Sequence, residues 1–436
     1  MRLHAIASLA LALTLAPALG AQPGSTISRR VAAAPDGEVR LAYATRSDVC
    51  GDSRDGVSIG RSMYFSTNVE SYGSWSRRRC EEGPARVALT VRDRKVVAVR
   101  TRVGGSWPSG ASGVTDLGRV GAPEAAAYFL ALVPQLDGTS RRDNPMLAAA
   151  VADSVNIAPE MLRLARMTSL SRETRRRAVH WAGALGDASM VAPLTELARA
   201  NAGDRTSADD MGPGDGIAGA AVGALSMIPD GAGVPALTTL ARGGSETVRK
   251  AAVFWLGQRD EEAPRAMVRT IAGDEKETET VRRAAIFALS QSDGASAADF
   301  AFLRSLFDRA TSERIKDQVL FAVSQHEAWD GTRWLLEKAR DESQPMEVRR
   351  KAVFWAGQGH ASVADITALY KSAKEPRLRE HVIFVLSQQN EEAATTHLMS
   401  IARDDPDREM RKKALFWLAQ KNDPRVTKLI TDMVIR

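Results

Sequence analysis

Six times between residues 248 and 420 the chain repeats nearly the same eleven residues. The copies are Val248-Arg-Lys-Ala-Ala-Val-Phe-Trp-Leu-Gly-Gln258, Val281-Arg-Arg-Ala-Ala-Ile-Phe-Ala-Leu-Ser-Gln291 and Ile315-Lys-Asp-Gln-Val-Leu-Phe-Ala-Val-Ser-Gln325, followed by Val348-Arg-Arg-Lys-Ala-Val-Phe-Trp-Ala-Gly-Gln358, Leu378-Arg-Glu-His-Val-Ile-Phe-Val-Leu-Ser-Gln388 and Met410-Arg-Lys-Lys-Ala-Leu-Phe-Trp-Leu-Ala-Gln420. Successive starts are 33, 34, 33, 30 and 32 residues apart. A period of this length excludes most single-core folds. Each unit is too small to bury its own apolar face, and stacking on neighbours makes the core. Two weaker copies precede these. One begins at Thr174, with His180 in place of Phe, and the other at Ile217, which makes eight units. The longer step between those two holds 201–216, rich in Gly, Asp and Ser and read as a mobile insert loop.

Each unit reads as two helices. In one of them a first helix covers about 361–371 and a second covers 378–388. Advancing about 100° per residue along the second helix brings its positions 0, +4, +7, +8 and +11 onto one side. In the unit beginning at 348 these are Val348, Ala352, Trp355, Ala356 and Gly359, the expected core stripe. Val-Arg-x-x-Ala at the start of a second helix, with a Leu/Ala-Gly end, resembles the HEAT repeat, in particular the short bacterial form called PBS-lyase-like. The resemblance covers 170–436. It implies a mainly α chain, a right-handed α-α superhelical solenoid of armadillo type with 121–169 as its leading helices. It also implies binding to proteins more often than catalysis.

One feature is odd for a surface position. Phe254, Phe287, Phe321, Phe354, Phe384 and Phe416 stand at +6, well away from the expected core stripe. Gln258, Gln291, Gln325, Gln358, Gln388 and Gln420 stand at +10, one turn further along the same side. Stacked units would set a row of rings beside a row of amides on the inner surface. That row suits an extended peptide, with rings for its side chains and amides for its backbone. It is similar to the Trp-x-x-x-Asn ladder of armadillo proteins, from which Phe-x-x-x-Gln departs in both residues. The competing reading is packing between units, with Gln capping helix ends. Trp181, Trp255, Trp355 and Trp417 at +7 are expected to pack. At +1, Arg175, Arg249, Arg282, Lys316, Arg349, Arg379 and Arg411 are expected to form a structural ladder with Glu246, Glu279, Glu313, Glu347, Glu375 and Asp407 in the preceding turns.

The front of the chain is different. Residues 1–20 read as a secretory signal: Arg2, then an apolar run from Ile6 to Leu15, then Ala18-Leu-Gly20, with cleavage expected near Gly20–Ala21. No later run is long and apolar enough for a membrane span. The expected location is a bacterial periplasm or the exterior. Residues 21–37 read as a flexible leader. Residues 38–120 read as a small antiparallel β domain, with period-two alternation at Val39/Leu41/Tyr43, at Met63/Phe65/Thr67/Val69, at Val87/Leu89/Val91 and from Val97 to Val103. Asp93-Arg94 marks a tight turn, and 50–56 and 104–121 read as loops. Cys50 and Cys80 are the only cysteines, which in an oxidising compartment read as a disulfide. The formal net charge of +6 belongs to this front, where 21–120 holds 16 Lys+Arg against 10 Asp+Glu.

Catalytic constellations are poor. The histidines His180, His326, His360, His381 and His397 fall in separate places. The several His-Glu pairs by which HEAT-like deoxyhypusine hydroxylases hold iron shrink here to His326-Glu327. No phosphate loop, nucleophile elbow or metal-spaced Cys/His set occurs, so no catalytic residue, metal or cofactor is expected. Near-neutral charge over 121–436 argues against nucleic acid. The expected function is an exported protein- or peptide-binding scaffold. Two rivals stand beside it: an enzyme with its site in the front domain, near Arg77, Arg78, Arg79, Asp52 and Asp55, and a structural envelope component without a specific ligand.

Overall fold

The computed structural model describes residues 26–52, 56–60, 63–65, 70–72, 80–107, 113–138, 145–203, 212–291, 296–326, 330–359, 361–421 and 423–434. The signal segment 1–20, Thr67, Val69, Asp55, Arg77 to Arg79, Glu327, His360 and the middle of the insert loop lie outside them. The chain divides into two compact units, 1–197 with 227–230, and 198–226 with 231–436.

The first unit opens with a helix, α1 (Thr26–Ala33), where a flexible leader was expected. Ile27 and Val31, one turn apart, are buried at 1% and 4% exposure. The Ile27 N–H donates to the Glu124 carboxylate at 3.0 Å, and Arg30 Nη2 donates to the Leu117 carbonyl at 2.7 Å. These tertiary partners order a segment whose composition reads as leader.

Among the described residues eight strands follow: β1 (Gly37–Tyr43), β2 (Val49–Gly51), β3 (Val57–Ile59), β4 (Met63–Phe65), β5 (Glu70–Tyr72), β6 (Ala85–Arg92), β7 (Lys95–Val103) and β8 (Val114–Arg119). They form two four-stranded sheets, ordered β7-β6-β1-β8 and β2-β3-β4-β5, instead of one antiparallel sheet. Alternation holds on β1 and β6, where Val39, Leu41, Tyr43, Val87, Leu89 and Val91 are all buried, but not through Val97, which is 38% exposed because the register against β6 shifts there and turns it outward. Asp93 and Arg94 turn the β6–β7 hairpin with φ of 51° and 61°. A left-handed pair of this kind matches the twist of the strands it joins. Two segments read as loop are strands. Cys50 lies on β2, and β8 lies within 104–121, paired parallel to β1. The irregular edge strand β8 buries only Leu117, and Gly118 at φ 69° breaks its register, so it carries no alternation to read. The Cys50–Cys80 disulfide ties β2 to the segment before β6, with Cα atoms 5.3 Å apart.

Helices α2 (Ala122–Leu132), α3 (Pro145–Ala150), α4 (Ala158–Arg166) and α5 (Arg172–Ala184) complete this unit. Tyr43 on β1 meets the Phe129 ring of α2 at 6.0 Å, and its hydroxyl donates to the Ala148 carbonyl of α3 at 2.5 Å. Arg46 and Asp153 add backbone bonds to Val151 and Ala44. A small sheet that could not stand alone is thus closed by the first helices.

The helices continue as α6 (Val191–Ala200), α7 (Ile217–Met227), α8 (Val234–Gly243), α9 (Glu246–Gly257), α10 (Glu262–Gly273), α11 (Glu279–Ser290), α12 (Ala297–Arg309), α13 (Glu313–Ser324), α14 (Gly331–Arg340), α15 (Met346–Gln358), α16 (Val363–Ser372), α17 (Pro376–Gln388), α18 (Glu392–Asp404), α19 (Arg408–Leu418) and α20 (Pro424–Val434). From α8 onward, first (A) and second (B) helices alternate in the second unit. The B helices α9, α11 and α13 begin on Ser245, Thr278 and Ser312, whose side-chain oxygens accept from the N–H groups of Val248, Val281 and Ile315.

The buried stripe of a B helix is rotated from the expected one. In α15 the residues Val348, Arg349, Ala352, Val353, Ala356 and Gly357 are buried, while Trp355 and Gly359 are only half-buried. Burial therefore runs through 0, +1, +4, +5, +8 and +9. The cause is that each B helix packs on its own A helix and on a neighbouring B helix at each side, as α11, α13, α15 and α17 do in turn. On an ideal helix this leaves +6 and +10 about 150–170° from the centre of the buried stripe.

The +1 cations form a ladder, but not with the partners read from the sequence. Arg175, Arg282 and Arg349 donate Nε to the carbonyls of Ala165, Ala272 and Ala339 at the ends of the A helices α4, α10 and α14. A cation there also meets the negative end of the helix dipole. Arg249, Arg349 and Arg379 then reach forward to Glu277, Glu375 and Asp405, just before the next B helix, and Lys316 reaches Gln344. Among the described residues, only Glu375 of the six expected acids takes one of these arginines, and that arginine is Arg349 of the preceding unit.

Candidate functional site

The side of the B helices opposite the buried stripe carries both rows. Phe254, Phe287, Phe321, Phe354 and Phe384 are half-buried, and Phe416 is 58% exposed. Gln291, Gln325, Gln358, Gln388 and Gln420 are exposed, and Gln258 is half-buried. Phe254 stacks on Phe287 at 6.2 Å, and Phe287 on Phe321 at 5.9 Å, so three units share one aromatic stack.

The tryptophans obey a rule that only the stacked structure reveals: position +7 of one unit lies over +6 of the unit before. Trp355 meets Phe321 edge-on at 5.0 Å, and Trp417 meets Phe384 at 5.2 Å. At the start of the row Gly223 occupies +6, and a Cβ there would lie 3.0 Å from the Trp255 Nε1. Where +7 is Ala288 or Ala322, no indole intervenes and the phenylalanines stack directly. These tryptophans were expected to pack, nearer the core than the phenylalanines. Trp181 is buried, but Trp255, Trp355 and Trp417 are half-buried and belong to the row. Trp355 Nε1 donates to Asp317 Oδ1 at 2.9 Å, and Lys351 Nζ donates to Asp317 Oδ2 at 2.7 Å. Lys413 pairs with Glu380 of the unit before it in the same way. These charges answer one another.

A second device orients the amides. Ser290, Ser324 and Ser387 at +9 donate Oγ–H to the carbonyls of Phe287, Phe321 and Phe384. Gln291, Gln325 and Gln388 donate Nε2 to those same hydroxyls at 3.3, 3.1 and 3.1 Å. Each such amide is held with its carbonyl oxygen and second N–H still to be used. In the units with Trp at +7, position +9 is instead Gly183, Gly257, Gly357 or Ala419. A Cβ at Gly257 would come within 2.6 Å of the Ala288 Cβ, and one at Gly357 within 2.3 Å of Val385 Cγ1.

Among the described residues no group of three His, Cys, Asp or Glu could hold a metal, and no helix is long and apolar enough to cross a membrane. His381 lies against Phe384 at 5.6 Å in the row. Burial, then the charge of Arg350, pushes it down to about 4, so it is neutral at neutral pH. His180, which stands where other units have Phe, is also pushed down to about 4 by burial.

Residues 234–324 and 332–419 match the family model for HEAT repeats. Among proteins of curated function, none matches this chain in sequence. Human deoxyhypusine hydroxylase in complex with glycerol is similar at 17% identity over 56% of this chain and 89% of that one, with a TM-score of 0.26. The complex of CpcE and CpcF of phycocyanin lyase from Nostoc sp. PCC7120 is similar at 15% identity over 60% and 93%, with a TM-score of 0.28. Likeness at that level says nothing about function. The repeat period, the alternating helices and the matched family agree: over residues 234–324 and 332–419 the chain is made of HEAT repeats.

Proposed function

We propose that this is an exported, non-catalytic scaffold that holds an extended protein or peptide segment along the B-helix row. The observation that carries the reading is the aromatic stack Phe254–Phe287–Phe321 flanked by the exposed amides of Gln291 and Gln325. Its rings repeat at 6.2 and 5.9 Å, close to the about 6.6–6.8 Å taken by two residues of an extended chain. Alternate side chains of such a segment can each rest on a ring, while the Ser-anchored glutamines meet its backbone. The Cys50–Cys80 disulfide supports an oxidising compartment, periplasmic or extracellular. Packing between units is the second reading, favoured by the half-burial of the rings.

The test is selection of peptides from a displayed random library on the full chain, then titration of the selected peptides against Q291A/Q325A/Q388A and F321A/F354A/F384A. The glutamines are exposed or nearly so, and their loss should leave melting unchanged. Loss of three backbone contacts at about 0.5–1.5 kcal/mol each weakens binding by about tenfold or more. Absence of any selected peptide, together with unfolding of the phenylalanine variant, would assign the rings to packing alone.

A further inference from the structure

The outer face of the sheet β7-β6-β1-β8 is a second surface, independent of the row. Strand register decides which residues share it. Across the sheet run Ala98, Thr90, Glu38 and Val114, then Arg100, Ala88, Arg40 and Asp116, then Arg102, Arg86, Ala42 and Arg119. At the hairpin end Lys95 pairs with Arg92. Among the described residues of these four strands, seven cations thus share one face with two acids, and both acids are occupied. Glu38 accepts from Arg40 Nε at 2.5 Å, and Asp116 Oδ1 accepts from the Gly118 N–H at 2.8 Å.

The middle of the array is held rigid. The Trp107 ring lies 4.7 Å from the Arg40 guanidinium and 5.2 Å from that of Arg86. Arg86 also donates to the Gly104 and Ser106 carbonyls at 2.7 and 2.5 Å. Burial, and then the charge of Arg102, weaken its hold on its proton, with Glu81 nearby acting the other way and Arg40 adding to the weakening. Arg92, Lys95, Arg100 and Arg119 are exposed. Protection of a sheet edge does not explain the array. The bulge at Val97 already spoils β7 as a pairing edge, and these cations stand on the face of the sheet.

We propose that this face binds an acidic segment of a partner protein, lying extended along β7. Outward residues of a strand recur every about 6.8 Å, and carboxylates at alternate positions of an extended segment recur at the same spacing. A guanidinium takes a carboxylate through two parallel hydrogen bonds, which favours an arginine array over scattered lysines for this partner.

The test is fluorescence anisotropy of a labelled alternating Glu-Thr peptide with the full chain. A Gln-Thr peptide, single-stranded DNA and anionic vesicles serve as alternatives. R92Q/K95Q/R100Q should weaken the Glu-Thr peptide by about tenfold or more, and raising salt from about 50 to 200 mM should weaken it in the wild type. The charge-matched R199Q/R242Q/K371Q should bind as wild type does. Because R92Q/K95Q/R100Q relieves crowding, its melting temperature should equal or exceed that of the wild type. Equal binding of the Gln-Thr peptide, unchanged affinity in R92Q/K95Q/R100Q or a lowered melting temperature overturns the proposal. Tighter binding of DNA or vesicles overturns it in favour of another polyanion.

Discussion

Asp299 shows how much one side chain can hold between repeats. It is fully buried on α12, and it accepts from Arg265 at 2.5 Å, Arg269 at 2.6 Å and the Ser296 hydroxyl at 2.8 Å. Arg265 on α10 is itself 1% exposed and donates on to the Gly257 carbonyl of α9. Burial alone would push the carboxyl up, but hydrogen bonds from Ser296, Arg265 and Arg269 outweigh it and hold the group below the usual range. Asp299→Ala strands Arg265 without a counter-charge, and a broken buried pair costs about 3–5 kcal/mol. Urea unfolding followed by circular dichroism should report that loss near neutral pH. Since the folded-state pKa lies below the unfolded value of about 3.9, the stabilisation is present above that pH and is lost as pH falls through the folded value. The difference between wild type and variant should therefore shrink in acid. In the sequence, Asp299 and Arg265 look like any surface pair; nothing in the spacing of 34 residues marks them as buried.

At the scale of elements, the repeat is legible because every unit solves the same packing problem. The small residue at +4 and the apolar residues at 0 and +8 recur for that reason, and the helices form where they were expected, α17 over Pro376–Gln388 and α16 over Val363–Ser372. The angle of each helix was less legible. Contacts on both flanks widen the buried stripe toward +1, +5 and +9, and an isolated helical wheel does not contain those neighbours. Gly257 is the clearest product of that closeness. A Cβ there would lie 2.6 Å from the Ala288 Cβ and 3.1 Å from the Ala288 backbone of α11. Gly257→Val forces α9 and α11 apart and should cost about 1–3 kcal/mol. The same change at Gly243, where a Cβ meets nothing within 4 Å, should cost far less by the same urea titration.

At the scale of the molecule, two compact units share one chain, and the sheets and α1 to α5 belong to the first. The disulfide lies in that first unit, closing a separation of 30 residues. In the chain-entropy model a crosslink of this length stabilises by about 3–4 kcal/mol. Reduction, or Cys50→Ser with Cys80→Ser, should lower the melting of the first unit. The second unit, whose stability is a sum of neighbour contacts between repeats, should melt as before. Calorimetry with and without reductant checks this, and one common transition shifting as a whole would contradict it.

Period and composition alone determined the repeat architecture, the mainly α character and the places of Phe and Gln, because those depend on a pattern that recurs every 30 to 34 residues. They also paired the cysteines, the only two in the chain. Tertiary structure alone decided what lies between units: that an indole at +7 covers the ring before it, that the +1 arginines reach forward to Glu277, Glu375 and Asp405, and that the Ser hydroxyls anchor the amides. It also made a helix of Thr26–Ala33 and a parallel strand of Val114–Arg119. The physical reason is the same throughout. A local pattern records which face of an element is buried, whereas the partner that buries it comes from a distant part of the chain.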